Sequence, residues 1–202
     1  MVEGFIMNKI LIIPGVGLFE NGIPDHHLFK LLKHQFPNYE IEWFNWKHKF
    51  IIPSVDGLSY KLARRWFCEI ISDFQMVSKY AMDVEIPDAD YYIGHSAGSI
   101  LALLQSRPSI ICGSPADTID HTQEHSTVDY LMNSQPVYNI IHRRDIIAYP
   151  FRLPHVENEI IHTFPLSLTN WEPISAHTCY FNNKFICKKI VNKIKEWEQN
   201  NI

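Results

Sequence analysis

Asp90-Tyr91-Tyr92-Ile93-Gly94-His95-Ser96-Ala97-Gly98-Ser99-Ile100-Leu101-Ala102-Leu103-Leu104-Gln105 is the stretch whose reading decides the fold. Asp90 to Gly94 is a short apolar run of strand character. Ala97 to Gln105 carries Ile100, Leu101, Leu103 and Leu104 and reads as a helix. Only His95 and Ser96 separate the two, so the chain must reverse on a very sharp turn. Gly94 and Gly98 remove side chains where strand and helix pass closely. The helix then points its first N–H groups and the positive end of its dipole back at the serine.

The same alternation continues outward in both directions. Lys9 to Pro14, Tyr39 to Trp46, Ser109 to Cys112, Val137 to Ile141 and Glu159 to Phe164 read as further strands. Asp25 to Phe36, Gly57 to Met82 and Asn183 to Gln199 carry apolar residues at helical spacing. Strands alternating with helices predict a parallel sheet flanked by helices. No internal repeat or low-complexity linker interrupts the pattern, and 202 residues are expected to form one domain, 1–202.

Gly94-His95-Ser96-Ala97-Gly98, set between a strand and a helix, is the Gly-x-Ser-x-Gly nucleophile-elbow pattern. Ser96, Asp145 and His177 occur in the order nucleophile, acid, histidine, and Pro14-Gly15-Val16-Gly17 follows the first strand. On these features the chain resembles the α/β-hydrolase superfamily in a minimal form, from Lys9 to the C-terminal helix. The resemblance implies a three-layer α/β/α sandwich with a mostly parallel sheet of about six strands, lacking the first two strands of larger members. It implies Ser96 as nucleophile and the backbone N–H groups of Ala97 and Val16 as the oxyanion hole, with Gly17 as runner-up to Val16.

A serine hydroxyl needs a base, and the base an orienting carboxylate. Asp145, after the strand Val137 to Ile141, resembles the family's acid; Asp117, after the preceding strand, is the competitor. His177 lies on the loop before the final helix, where the family keeps its histidine. His162 falls inside the strand Glu159 to Phe164, His142 precedes the acid too closely, and His95 is expected to support the elbow. His121, His125 and His155 read as loop residues.

Leu18, Phe19, Trp46 and Trp171 are candidates for an apolar substrate pocket, alongside Trp43 and Phe44, because ligands enter open α/β sheets at the C-terminal ends of strands. Core packing is the competing reading for these aromatics. The stretch 116–135 reads as a short loop or mini-cap insertion. It is polar through Asp117, Thr118, Asp120, His121, Thr122, Gln123, Glu124 and His125, so an uncovered site that takes soluble esters is expected.

Composition excludes several classes. A formal net charge of -4, with its basic pairs scattered, is no footprint for nucleic acid. Cys68, Cys112, Cys179 and Cys187 form no Cys-x-x-Cys pair and the histidines no His-Glu-x-x-His, so neither metal nor cofactor is expected. The N-terminal stretch has no signal-peptide pattern, and Met7 is an alternative start. The first apolar run, Ile10 to Ile13, is strand-sized, against the ~20 residues a membrane span requires. A cytoplasmic protein acting on a small-molecule ester is the expectation. Thioesterase, amidase or acyltransferase activity would use the same triad, and a non-enzymatic ligand-binding protein on a hydrolase fold is the second class.

Overall fold

In the computed structural model, the described residues are 8–15, 26–46, 84–114, 135–145, 148, 156–162 and 177–202. They contain strands β1 (Asn8–Ile13), β2 (Tyr39–Trp43), β3 (Tyr91–His95), β4 (Ser109–Cys112), β5 (Val137–His142) and β6 (Glu157–Ile161). The helices are α1 (His27–Gln35), α2 (Gly98–Leu103) and α3 (Lys184–Gln199).

All six strands join one sheet in the order β2-β1-β3-β4-β5-β6, and every pairing is parallel. The four central strands are apolar runs because both faces of a parallel sheet are covered. Alternation along β1 shows the two faces. Ile10 and Ile12 join the core under α1 and α3 with Leu28, Leu32, Ile93, Ile190 and Ile194. Leu11 and Ile13 face the opposite way, packing with Tyr92, Leu101 and Ala102 of the α2 side. The result is the three-layer α/β/α arrangement.

The strand order reverses between β1 and β3. The chain moves outward from β1 to β2, then returns to the other side of β1 and proceeds through β6. A reversal of direction with one crossover hand puts successive helices on opposite faces, which is why α1 and α2 lie on different sides. Open α/β sheets bind ligands at such a reversal, beyond the carboxyl ends of the strands, here β1 and β3. Gly15 and Ser96 both lie there.

Several boundaries differ from those the sequence predicts. β2 stops at Trp43; Phe44 N–H still reaches Ile12 O at 2.8 Å, and the chain then leaves the ladder. β6 runs from Glu157 rather than Glu159 because its register follows β5, from Tyr138↔Glu157 to His142↔Ile161. α2 closes at Leu103, and the positive φ of Ser106, 52°, ends any continuation before Pro108. The final helix matches the prediction closely and is capped by Asn183, whose side chain accepts from Phe185 N and Ile186 N. The expected helix at 57–82 and nearly all of 116–135 lie outside the described residues. Among the described residues no helix is long and apolar enough to cross a membrane.

Candidate active site

Strand β3 delivers Ser96 to the carboxyl end of the sheet, beside Gly15. All five of its residues are buried, and the chain turns at Ser96 with φ 53°, a left-handed conformation costly for a residue with a side chain. Two sets of hydrogen bonds hold the turn. Ser96 N–H donates to Cys112 O at the end of β4, 3.0 Å away. Ser96 O accepts from Ser99 N–H at 3.0 Å and from the buried Ser99 hydroxyl at 2.5 Å. The Ser99 hydroxyl in turn meets Ser114 Oγ at 2.6 Å. A Cβ on Gly94 would overlap the Ser99 backbone, and one on Gly98 would overlap the carbonyls of Ile13 and Pro14. Both glycines are therefore required by close approach of strand, helix and the β1 loop.

The Ser96 N–H is thus committed to β4, while no hydrogen bond among the described residues engages the next N–H, that of Ala97. Ala97 opens the turn into α2, so this N–H belongs to the set that a helix leaves unsatisfied at its start. Its chemistry suits a developing oxyanion.

Asp145, just past β5, and His177, just ahead of α3, meet although 32 residues apart: His177 Nδ1 donates to Asp145 Oδ2 at 2.9 Å. Both are buried, with Asp145 at 0% exposure and His177 at 1%. Oδ2 also accepts the Tyr180 hydroxyl proton at 2.8 Å, and Oδ1 accepts the Ala148 N–H at 3.1 Å. Burial pushes the Asp145 carboxyl up, but the nearby His177 charge and the hydrogen bonds from His177, Tyr180 and Ala148 outweigh it and hold the pKa below its ordinary value. The carboxylate is ionised, and it fixes the imidazole tautomer with the proton on Nδ1. The nitrogen that would take a proton from a nucleophile is then Nε2.

His95 lies one residue before Ser96 and is 1% exposed. Its Nε2 donates to the His177 carbonyl oxygen at 2.6 Å, and its ring lies 4.9 Å from the His177 ring. Tyr180 and Phe181 close over it at 5.6 and 5.5 Å. Burial, aided by the neighbouring His177 charge, lowers its pKa to about 3. It is neutral at any working pH. The elbow and the histidine loop are thus joined through His95.

Ser96, Asp145, His177 and Ala97 are all within the described residues; Val16, Gly17, Leu18, Phe19, Trp171 and the competing acid Asp117 lie outside them. Trp46, a pocket candidate, donates its indole N–H to Pro14 O at 2.7 Å and packs partly buried on the α2-side core. Trp43 stacks on His26 at 5.2 Å and meets Phe181 edge-on, a core role on the opposite face. His162 is exposed just past β6 rather than within a strand. Cys112 and Cys187 are buried free thiols, and burial raises their pKa values, that of Cys187 to about 12. They are core fillers.

Sequence reasoning missed Tyr180. Its hydroxyl accepts the His142 N–H at 2.8 Å while donating to Asp145, and burial keeps it protonated by driving its pKa well up. The one available signal was its spacing, a single turn beyond His177. Among the described residues no group of three or more His, Cys, Asp or Glu gathers as a metal site would. No family model matches the chain, and no curated protein matches it.

Proposed function

We propose that this protein is a serine hydrolase that cleaves a carboxylic ester. Ser96 is the nucleophile, His177 the general base and Asp145 the orienting acid. The observation that carries the reading is the buried Asp145–His177 pair, tied through His95 to a serine held at φ 53°. Ser106 shares that φ in an ordinary turn, so the weight lies on the pair: a core has no need of an ionised carboxylate bonded to a histidine.

The chemistry follows from these atoms. Ser96 Oγ attacks the ester carbonyl carbon as its proton passes to His177 Nε2. The charge on the carbonyl oxygen is stabilised by the Ala97 N–H, and the new imidazolium by the Asp145 carboxylate. Collapse of the tetrahedral intermediate expels the alcohol, which takes the proton from Nε2. Water then attacks the acyl-enzyme, giving its proton to Nε2, and Ser96 leaves as that proton returns to Oγ. Thioesters and amides would use the same groups, so the substrate panel must include them.

The test is labelling by a fluorophosphonate, followed by turnover of p-nitrophenyl esters of graded length beside a thioester and an amide. Wild type should be labelled and Ser96→Ala should not. His177→Ala should lose several orders of magnitude in kcat, while His162→Ala, altering an exposed side chain, should match wild type. No labelling of wild type would reject the proposal in favour of a binding protein, and equal labelling of wild type and Ser96→Ala would reject Ser96 as the nucleophile in favour of another residue.

A further inference from the structure

Three segments meet at one side chain. The His95 ring belongs to the elbow. Its Nε2 donates to the backbone carbonyl of His177 at 2.6 Å. Its Nδ1 edge faces the β1 loop so closely that a Cβ on Gly15 would lie 3.2 Å from it. His177 is held by its side chain to Asp145 at Nδ1, and where that ring sits also depends on where its backbone is held. The bond from His95 holds that backbone at its carbonyl.

We propose that His95 is a positioning residue that sets the base, His177, against the nucleophile, Ser96, by donating from Nε2 to the His177 carbonyl. The inference rests on the serine-hydrolase reading and adds a role for the residue between Gly94 and Ser96. Three features support it. The bond is short, and both rings are buried. The donor is one peptide unit from the nucleophile, while the acceptor belongs to the base itself, so little chain lies between the two to absorb error. The ring is neutral at working pH and the His177 carbonyl can only accept, so the one proton stays on Nε2 and the bond persists through the reaction.

The distinguishing chemistry is a single N–H at the Nε2 position. Glutamine places an amide nitrogen near that point; leucine fills similar space without a donor. The experiment compares wild type, His95→Gln and His95→Leu for folding, for kcat and KM on the best p-nitrophenyl ester, and for the fluorophosphonate labelling rate. Misplacing reacting groups by about 1 Å can cost 100-fold. His95→Leu should therefore lose about 100-fold in kcat and in labelling rate with KM little changed, and His95→Gln should recover at least tenfold of that loss. In wild type, the nitrogen-15 NMR signature of His95 should be the Nε2–H tautomer, its proton protected from exchange. A folded His95→Leu with wild-type kcat, a folded His95→Gln no better than His95→Leu, or an Nδ1–H tautomer would each overturn the proposal. If His95→Leu does not fold, a folded His95→Gln retaining at least a tenth of wild-type kcat, together with the tautomer, supports it, and a lower kcat overturns it. A wild type that neither labels nor turns over any ester would instead reject the parent reading, and the tautomer would still report the bond.

Discussion

Tyr180 gives its hydroxyl proton to the same oxygen of Asp145 that accepts the Nδ1 proton of His177, at 2.8 and 2.9 Å. Because the Tyr180 oxygen also accepts the His142 N–H, the end of β5, the carboxylate and the histidine loop share one buried hydrogen-bonded chain. Tyr180→Phe keeps the ring and removes the link. It leaves the His142 N–H without its acceptor and the carboxylate with one donor fewer, so a stability loss of about 1–3 kcal/mol is expected. The Asp145 pKa should rise, since a donor to its charged form is gone. Urea unfolding and kcat, expected to drop about tenfold, check this; an unchanged midpoint with unchanged kcat would contradict it.

Ser96 occupies a backbone region that costs a residue with a side chain about 1–2 kcal/mol. Glycine escapes that cost, whereas alanine retains it. Ser96→Gly should therefore unfold at a higher temperature than Ser96→Ala, by an amount equivalent to about 1 kcal/mol, with both variants inactive. Calorimetry on the pair provides the measurement. Equal melting temperatures would mean that the turn is unstrained.

The six strands were legible because their signal is local. A strand covered on both faces must be apolar at nearly every position, and Ile10 to Ile13, Ile110 to Cys112 and Ile140 to Ile141 are. Strand ends were less legible, because β6 takes its limits from the register of β5 and not from its own residues. Asp145 and His177 could be chosen by chain order and loop position. Tyr180 could not, since a hydroxyl that meets a carboxylate 35 residues away leaves no periodic trace and reads as one more core aromatic. What the indole N–H of Trp46 meets was not legible for a related reason: an aromatic near a strand end suggests a pocket, and nothing in its neighbours along the chain signals the bond to Pro14 O.

Asp145→Asn keeps the shape of the side chain and removes its charge. Without the carboxylate the imidazole loses its fixed tautomer, and a fall in kcat of about 10⁴-fold is expected by analogy with serine-protease triads. The pH dependence has a definite sign. The folded carboxyl lies below its ordinary 3.8, so its contribution to stability is fully present above that value and is lost as pH falls through the folded pKa. The stability gap between wild type and Asp145→Asn should therefore narrow as pH is lowered from neutrality past 3.8. A gap that widens on acidification would mean that the buried carboxyl is protonated in the native state.

Gly15 provides the most direct test of how closely the β1 loop approaches Ser96. A Cβ there would stand 2.7 Å from Ser96 Cβ and 3.2 Å from the His95 carbonyl oxygen. Neither obstacle is the far end of a flexible side chain. Ser96 Cβ is one bond from a backbone already fixed by Cys112 O and Ser99, so the added methyl must displace either the elbow or the loop. Replacing glycine by alanine where the backbone tolerates it stabilises proteins by about 0.4–1 kcal/mol. At this position overpacking should reverse the sign and cost about 1–3 kcal/mol. The displacement acts one bond from Ser96 Oγ, the proposed nucleophile, so the loss in kcat should exceed what that stability change explains. Gly15→Ala is expected to remain folded at 25 °C, to lose about 10–100-fold in kcat, and to react with the fluorophosphonate correspondingly slowly. A variant that is more stable than wild type and equally active would show that the loop stands farther from Ser96 than this geometry requires.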